Sequence, residues 1–144
     1  MSTPRVFSTM TGRKESLPAP GERTLGVYIC GVTVYDYCHI GHARTYVSFD
    51  TAMRHLRRRG YALKVVRNFT DVDDKIIKRA HDLAVSAHDL AERYIAAFSE
   101  DMQRLKLAPV DVEPRVTTHM PQIIAAVAEL VQRERAYVVD SASA

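Results

Sequence analysis

The run Leu25-Gly26-Val27-Tyr28-Ile29-Cys30-Gly31-Val32-Thr33-Val34-Tyr35-Asp36-Tyr37-Cys38-His39-Ile40-Gly41-His42 decides the fold. Leu25 to Cys30 is a short β-rich stretch around one glycine, which suits a strand buried on both faces of a parallel sheet. The chain then crosses a loop and enters a helix that opens at His39-Ile40-Gly41-His42. A helix start leaves backbone N–H groups unpaired and carries partial positive charge. A glycine there lets a ligand approach the backbone, and two imidazoles add donors for phosphate oxygens. His39, Gly41 and His42 therefore read as a cradle for ATP phosphates. For a bare His-x-Gly-His pattern, two incidental histidines near a turn are the plainer reading; the position after a strand favours the cradle.

Working outward, Tyr46, Phe49, Met53 and Leu56 recur at spacings of three and four, and Gly60 follows the basic turn Arg57-Arg58-Arg59. That pattern predicts a helix over about 42–59. Ala62 to Phe69 follows as a second strand, so strand, helix and strand form one crossover unit and a parallel sheet. Asp71, Asp73 and Asp74 precede a short helix to about Ala84, and Ser86 with Asp89 opens a longer one over 86–105. Pro109 to Pro114 reads as a loop. Pro121 opens a helix to about Arg135 with a stripe of Ile123, Ile124, Val127, Leu130 and Val131. Ala136 to Val139 is a candidate further strand. The organisation expected is a lead-in over 1–23, extended only near Val6-Phe7, a partial nucleotide-binding domain over 24–140, and a small-residue tail over 141–144.

The 144 residues suit about one domain and exclude a complete multidomain ligase. With 47% hydrophobic and 26% charged residues and no long apolar run, the chain reads as soluble, without a membrane partner, and cytoplasmic by default. A net charge of +3 is compatible with a nucleic-acid partner without demanding one. In that setting Cys30 and Cys38 are more simply thiols than a disulfide, with metal ligation or burial as competing roles. Asp71, Asp73 and Asp74 fit either a magnesium site or helix-start charge, and Arg54 with Arg57 to Arg59 fits either RNA phosphates or the helix dipole.

Tyr28 to His42 resembles the signature of the class I cysteinyl-tRNA synthetases, and Asn68-Phe69-Thr70-Asp71-Val72-Asp73-Asp74-Lys75-Ile76-Ile77 resembles the same family. Glu113 to Pro121, followed by Ala136-Tyr137-Val138, is similar too, so the likeness runs from about residue 5 to 140. The cysteine ligase of mycothiol synthesis shares the plan and is the more distant match.

The resemblance implies a Rossmann-like α/β fold, the N-terminal half of a class I catalytic domain. It implies cysteine–tRNA ligase activity: ATP with magnesium activates cysteine, which is passed to tRNA-Cys. It further implies that His39 and His42 contact ATP and stabilise the transition state, and that Gly31 and Thr70 line the amino-acid pocket. Cys30 would be one of four zinc ligands, the metal holding the substrate thiolate and rejecting serine. The chain departs from the family pattern in lacking the other zinc ligands and the Lys-Met-Ser-Lys-Ser loop. The isolated chain is therefore expected to be inactive without the missing half. A non-catalytic nucleotide- or partner-binding paralogue and a small nucleotidyltransferase are the competing functions, and the latter needs neither Cys30 nor the Asn68 to Lys75 block.

Overall fold

The computed structural model describes residues 3–139. The lead-in is more ordered than its composition suggests. β1 (Arg5–Ser8) and β2 (Arg13–Ser16) form an antiparallel hairpin in which Arg5 pairs with Ser16, and Gly12, at φ 67°, supplies the left-handed turn residue between them.

The central unit is β3 (Leu25–Thr33), α1 (Ile40–Arg58) and β4 (Leu63–Thr70), with β3 and β4 parallel from Leu25↔Leu63 to Thr33↔Thr70. The strand reading thus holds and extends three residues beyond Cys30. α1 closes where expected, on a basic last turn, and Gly60 at φ 85° follows its cap.

The predicted loop of Pro109 to Pro114 instead runs as a rough third rung beside β4. Arg67 N donates to Val112 O at 3.0 Å and Phe69 N to Pro114 O at 2.9 Å, with parallel bridges Val66↔Val112 and Phe69↔Arg115. Proline lacks the N–H a regular ladder needs, which hides this segment from strand patterning. The carboxylate of Asp111 fills in by accepting from Val65 N at 2.6 Å.

α2 (Asp74–Asp82) and α3 (Ala87–Arg104) follow, capped by Asp73 and Ser86 respectively. One face of the sheet, carrying Ile29, Val32, Val65 and Phe69, is the core face; Tyr46 and Met53 of α1 and Leu90, Tyr94, Phe98 and Met102 of α3 complete the cluster. The ring of Phe98 meets Tyr46 and Phe69 edge to face, each with centroids 5.3 Å apart. Arg67 points into this core, its guanidinium 4.6 Å from the Phe98 centroid and 5.2 Å from that of Tyr46, and it is neutralised by Glu113. A buried cation is stabilised here by two aromatic faces and one carboxylate.

The other face corrects the expectation of a strand buried on both sides. Tyr28 is 66% exposed there. α4 (Met120–Gln132), entered through a single tight turn at Thr117–His119, borders a shallow apolar groove with Tyr28, Asn68 and Val116, and none of its residues is buried. Its apolar stripe is real and remains open to solvent within these residues. Ala136 to Val139 forms no strand. The expected tail over 141–144 lies outside the described residues.

Candidate active site

β3 and β4 end together at Thr33 and Thr70, and beyond their carboxyl ends lies the N-terminus of α1, where an open parallel sheet presents its ligand crevice. A cavity of about 410 Å3 occupies this place, lined by Gly31, Val32, Thr33, Tyr35, Asp36, Tyr37, His39, His42 and Lys75. Gly31, His39 and His42, all expected site residues, share this wall.

The histidines are held by the helix start itself. His39 is the N-cap, extended at φ −112° and ψ 172°, and its Nδ1 accepts from Gly41 N at 3.0 Å. His42 Nδ1 accepts from His39 N at 3.3 Å. The two rings stack with centroids 3.9 Å apart and an interplanar angle of 26°. With both Nδ1 atoms accepting, each neutral ring carries its proton on Nε2, a donor free for a ligand oxygen. Burial, and then the neighbouring His39, push the His42 pKa below its usual value.

Gly41 earns its place through space. A β-carbon there would stand 2.7 Å from His39 Cε1 and 2.9 Å from its Nδ1, so any larger residue evicts the imidazole from the cap.

The cavity's remaining wall is aromatic and cationic. Lys75 Nζ lies 5.7 Å from the Tyr35 centroid. Tyr37 is pinned edge-on against Tyr94 at 5.1 Å and accepts from Arg93 at 3.3 Å. Sequence reading did not single out Tyr35 and Tyr37, although both lie inside the quoted signature, because aromatic residues in a loop have no period to mark them.

Cys30, Gly41 and Thr70 do not line this cavity. Cys30 is exposed on β3, and its carbonyl accepts from the Tyr46 hydroxyl at 3.1 Å. Thr70 is reached through Asn68, whose Nδ2 lies 3.4 Å from the Thr70 hydroxyl. Cys38 is a half-buried free thiol packed against the core, and burial, followed by Asp101, raises its pKa.

Against this geometry the comparisons are specific. Residues 17–144 match the family described as tRNA synthetases class I (C) catalytic domain. The chain belongs to the class I cysteinyl-tRNA synthetase family. The cysteine–tRNA ligase of Idiomarina loihiensis is 49% identical over 132 residues, covering 92% of this chain and 29% of that protein. The cysteine–tRNA ligase of Thermococcus gammatolerans is 47% identical over 133 residues, with 92% and 28% covered. This chain thus spans less than a third of the length of these relatives. Among solved structures, Mycobacterium tuberculosis methionyl-tRNA synthetase in complex with methionyl-adenylate superposes with a TM-score of 0.57 at 23% identity, over 64% of this chain and 18% of that one. The Agrobacterium radiobacter LeuRS in a ternary complex with tRNA and LeuAMS gives 0.67 at 17% identity, over 80% and 15%. These likenesses show the class I synthetase fold.

Within the family frame the acidic block is structural. Asp71 is buried and accepts from Thr117 N at 3.0 Å and from the Thr117 hydroxyl, while Asp73 caps α2 by accepting from Lys75 N at 2.9 Å. The described residues do not complete a zinc site: among them no three His, Cys, Asp or Glu side chains gather to hold a metal, and Cys30 has no co-ligands there. Arg54 is engaged by Asp50 at 2.6 Å and by the Lys106 carbonyl at 2.9 Å, which ties the end of α1 to the turn after α3.

Proposed function

We propose that this chain carries the ATP cradle and one corner of the amino-acid subsite of a cysteine–tRNA ligase. The observation that carries the reading is the pair of stacked imidazoles over the start of α1, each with Nδ1 spent on the backbone and Nε2–H left for a ligand. In this reading ATP lies in the cavity with its phosphates against His39, Gly41 and His42. The cysteine carboxylate attacks the α-phosphorus; the new P–O bond forms as the bond to the β-phosphate breaks, and pyrophosphate leaves with that electron pair. The imidazole donors and the N-terminal amides of α1 meet the charge that grows on the phosphoryl oxygens. Lys75 at the rim adds a cation, and magnesium accompanies the nucleotide.

Gly31, Thr70 and Cys30 form the amino-acid corner in this proposal. Cys30 would be one ligand of a zinc site completed by residues beyond those present. Residues 24–140 act as the partial catalytic domain and 1–23 as its lead-in. Cysteine, ATP and tRNA-Cys are the partners of the whole enzyme, the remaining part of the synthetase is the partner of this chain, and the work is cytoplasmic.

Calorimetric titration with ATP tests the cradle. The parent chain should bind weakly and the His39→Ala/His42→Ala double variant should not bind; equal heats from both would remove it. Cysteine-dependent ATP–pyrophosphate exchange should be absent for these 144 residues alone and appear on addition of the separately expressed remainder of a cysteinyl-tRNA synthetase. Exchange by the purified chain without that addition would overturn the shared-site reading.

A further inference from the structure

The ladder between β3 and β4 is regular from Leu25↔Leu63 to Ile29↔Arg67 and resumes at Val32↔Phe69. Cys30 and Gly31 together stand opposite Asn68 alone, a bulge that takes their shared peptide group out of the regular ladder. Two side chains from different elements hold that group. The Tyr46 hydroxyl of α1 donates to its carbonyl at 3.1 Å, and the Asn68 carboxamide of β4 accepts from its N–H at 2.8 Å. The strands approach so closely here that a β-carbon on Gly31 would fall 1.5 Å from the Asn68 carbonyl oxygen. Only glycine lets the bulge sit against β4.

The carboxamide has one orientation that serves this contact. Its oxygen must face the Gly31 N–H, which turns Nδ2 toward the Thr70 hydroxyl, 3.4 Å away on the same face of β4. Asn68 therefore touches both Gly31 and Thr70 with opposite ends of one rigid group. The Tyr46 side is equally committed: burial, opposed by Arg67, pushes its pKa up to about 12, so the hydroxyl remains a donor throughout the neutral range.

We propose that Asn68 is a positioning residue of the amino-acid corner: opposed by Tyr46, it locks the Cys30–Gly31 peptide plane and ties the Thr70 hydroxyl to it, fixing the backbone polar groups that stand beside the Cys30 thiol. Rotation of that plane about its two Cα atoms would re-aim the Cys30 carbonyl and the Gly31 N–H beside the thiol without breaking a ladder pair, so the regular hydrogen bonds of the sheet cannot supply the lock. The proposal rests on the reading of Cys30, Gly31 and Thr70 as an amino-acid subsite, and its test separates the two.

The 144-residue chain in a Cys38→Ser background leaves Cys30 as the single thiol. Asn68→Ala should speed amide exchange at Gly31 by about tenfold, the equivalent of one lost hydrogen bond, shift the Gly31 amide resonance, and change the iodoacetamide alkylation rate of Cys30. Asn68→Asp keeps an acceptor for Gly31 and loses the donor to Thr70, so it should restore Gly31 protection. Tyr46→Phe removes the opposing contact while keeping the packed ring, and should alter Cys30 alkylation in the same way even if Asn68→Ala fails to fold. Parent values for Gly31 exchange and Cys30 alkylation in both Asn68→Ala and Tyr46→Phe would overturn the lock. In the reconstituted enzyme, Asn68→Ala should raise the KM for cysteine and leave the KM for ATP unchanged. An unchanged KM for cysteine beside altered Gly31 and Cys30 signals would overturn the amino-acid reading of this corner, while the lock itself would stand.

Discussion

The imidazole of His39 occupies the volume that a side chain at Gly41 would need, with Cε1 2.7 Å from the position of a β-carbon there. Cap and glycine are one device: the ring can fold back over the helix start and accept from Gly41 N at 3.0 Å only because residue 41 has no side chain. Gly41→Ala should therefore expel the ring. Loss of a side-chain cap costs about 1 kcal/mol of stability, and ATP affinity should fall by about tenfold with the displaced donor. Denaturant unfolding and ATP titration of the same variant check both; full affinity in Gly41→Ala would separate the glycine from the cradle.

The lowered pKa of His42 sets a direction for pH. Because the folded chain holds this ring neutral more firmly than the unfolded chain does, its contribution to stability is present above the usual histidine value of 6.5 and is lost as pH falls through the depressed folded value. Denaturant unfolding between pH 8 and pH 5 should show the loss, and His42→Gln should flatten that part of the profile.

Phe98 is the aromatic on which two others and one cation depend, since Tyr46, Phe69 and the Arg67 guanidinium all rest against it. Phe98→Ala opens a cavity and uncovers a buried cation, at a cost of about 3–5 kcal/mol. For a chain of this size that is a large fraction of the total. Urea unfolding should show a collapse of the midpoint or no folded baseline, whereas Phe49→Ala on the exposed side of α1 should cost far less.

Metal content follows from the isolation of Cys30. A single thiolate falls far short of the four ligands of a closed zinc site, so dialysed chain should retain well under one zinc per molecule by elemental analysis. One tightly held zinc would contradict the ligand geometry of the described residues, and Cys30→Ser would then show whether Cys30 holds it.

The sequence by itself determined the local parts. Leu25 to Cys30, the three-and-four spacing from Tyr46 to Leu56, and the Asp73 and Ser86 caps each express a short-range rule, and β3, α1, α2 and α3 stand where those rules put them. The helix start at His39 was legible for the same reason, because its cap, its glycine and a second histidine span only four residues. Tertiary structure alone decided what depends on distant segments meeting. The run after Pro109 became a rung of the sheet through Asp111 and the Pro114 carbonyl, although its prolines erase the alternation that marks a strand. Arg67 entered the core because Tyr46, Phe98 and Glu113 converge on it from three separate elements. Asn68 reached Gly31, 37 positions away, because a two-residue bulge freed one peptide group from the ladder. Periodicity reports which face a residue occupies, and only the packed chain reports which partner waits there.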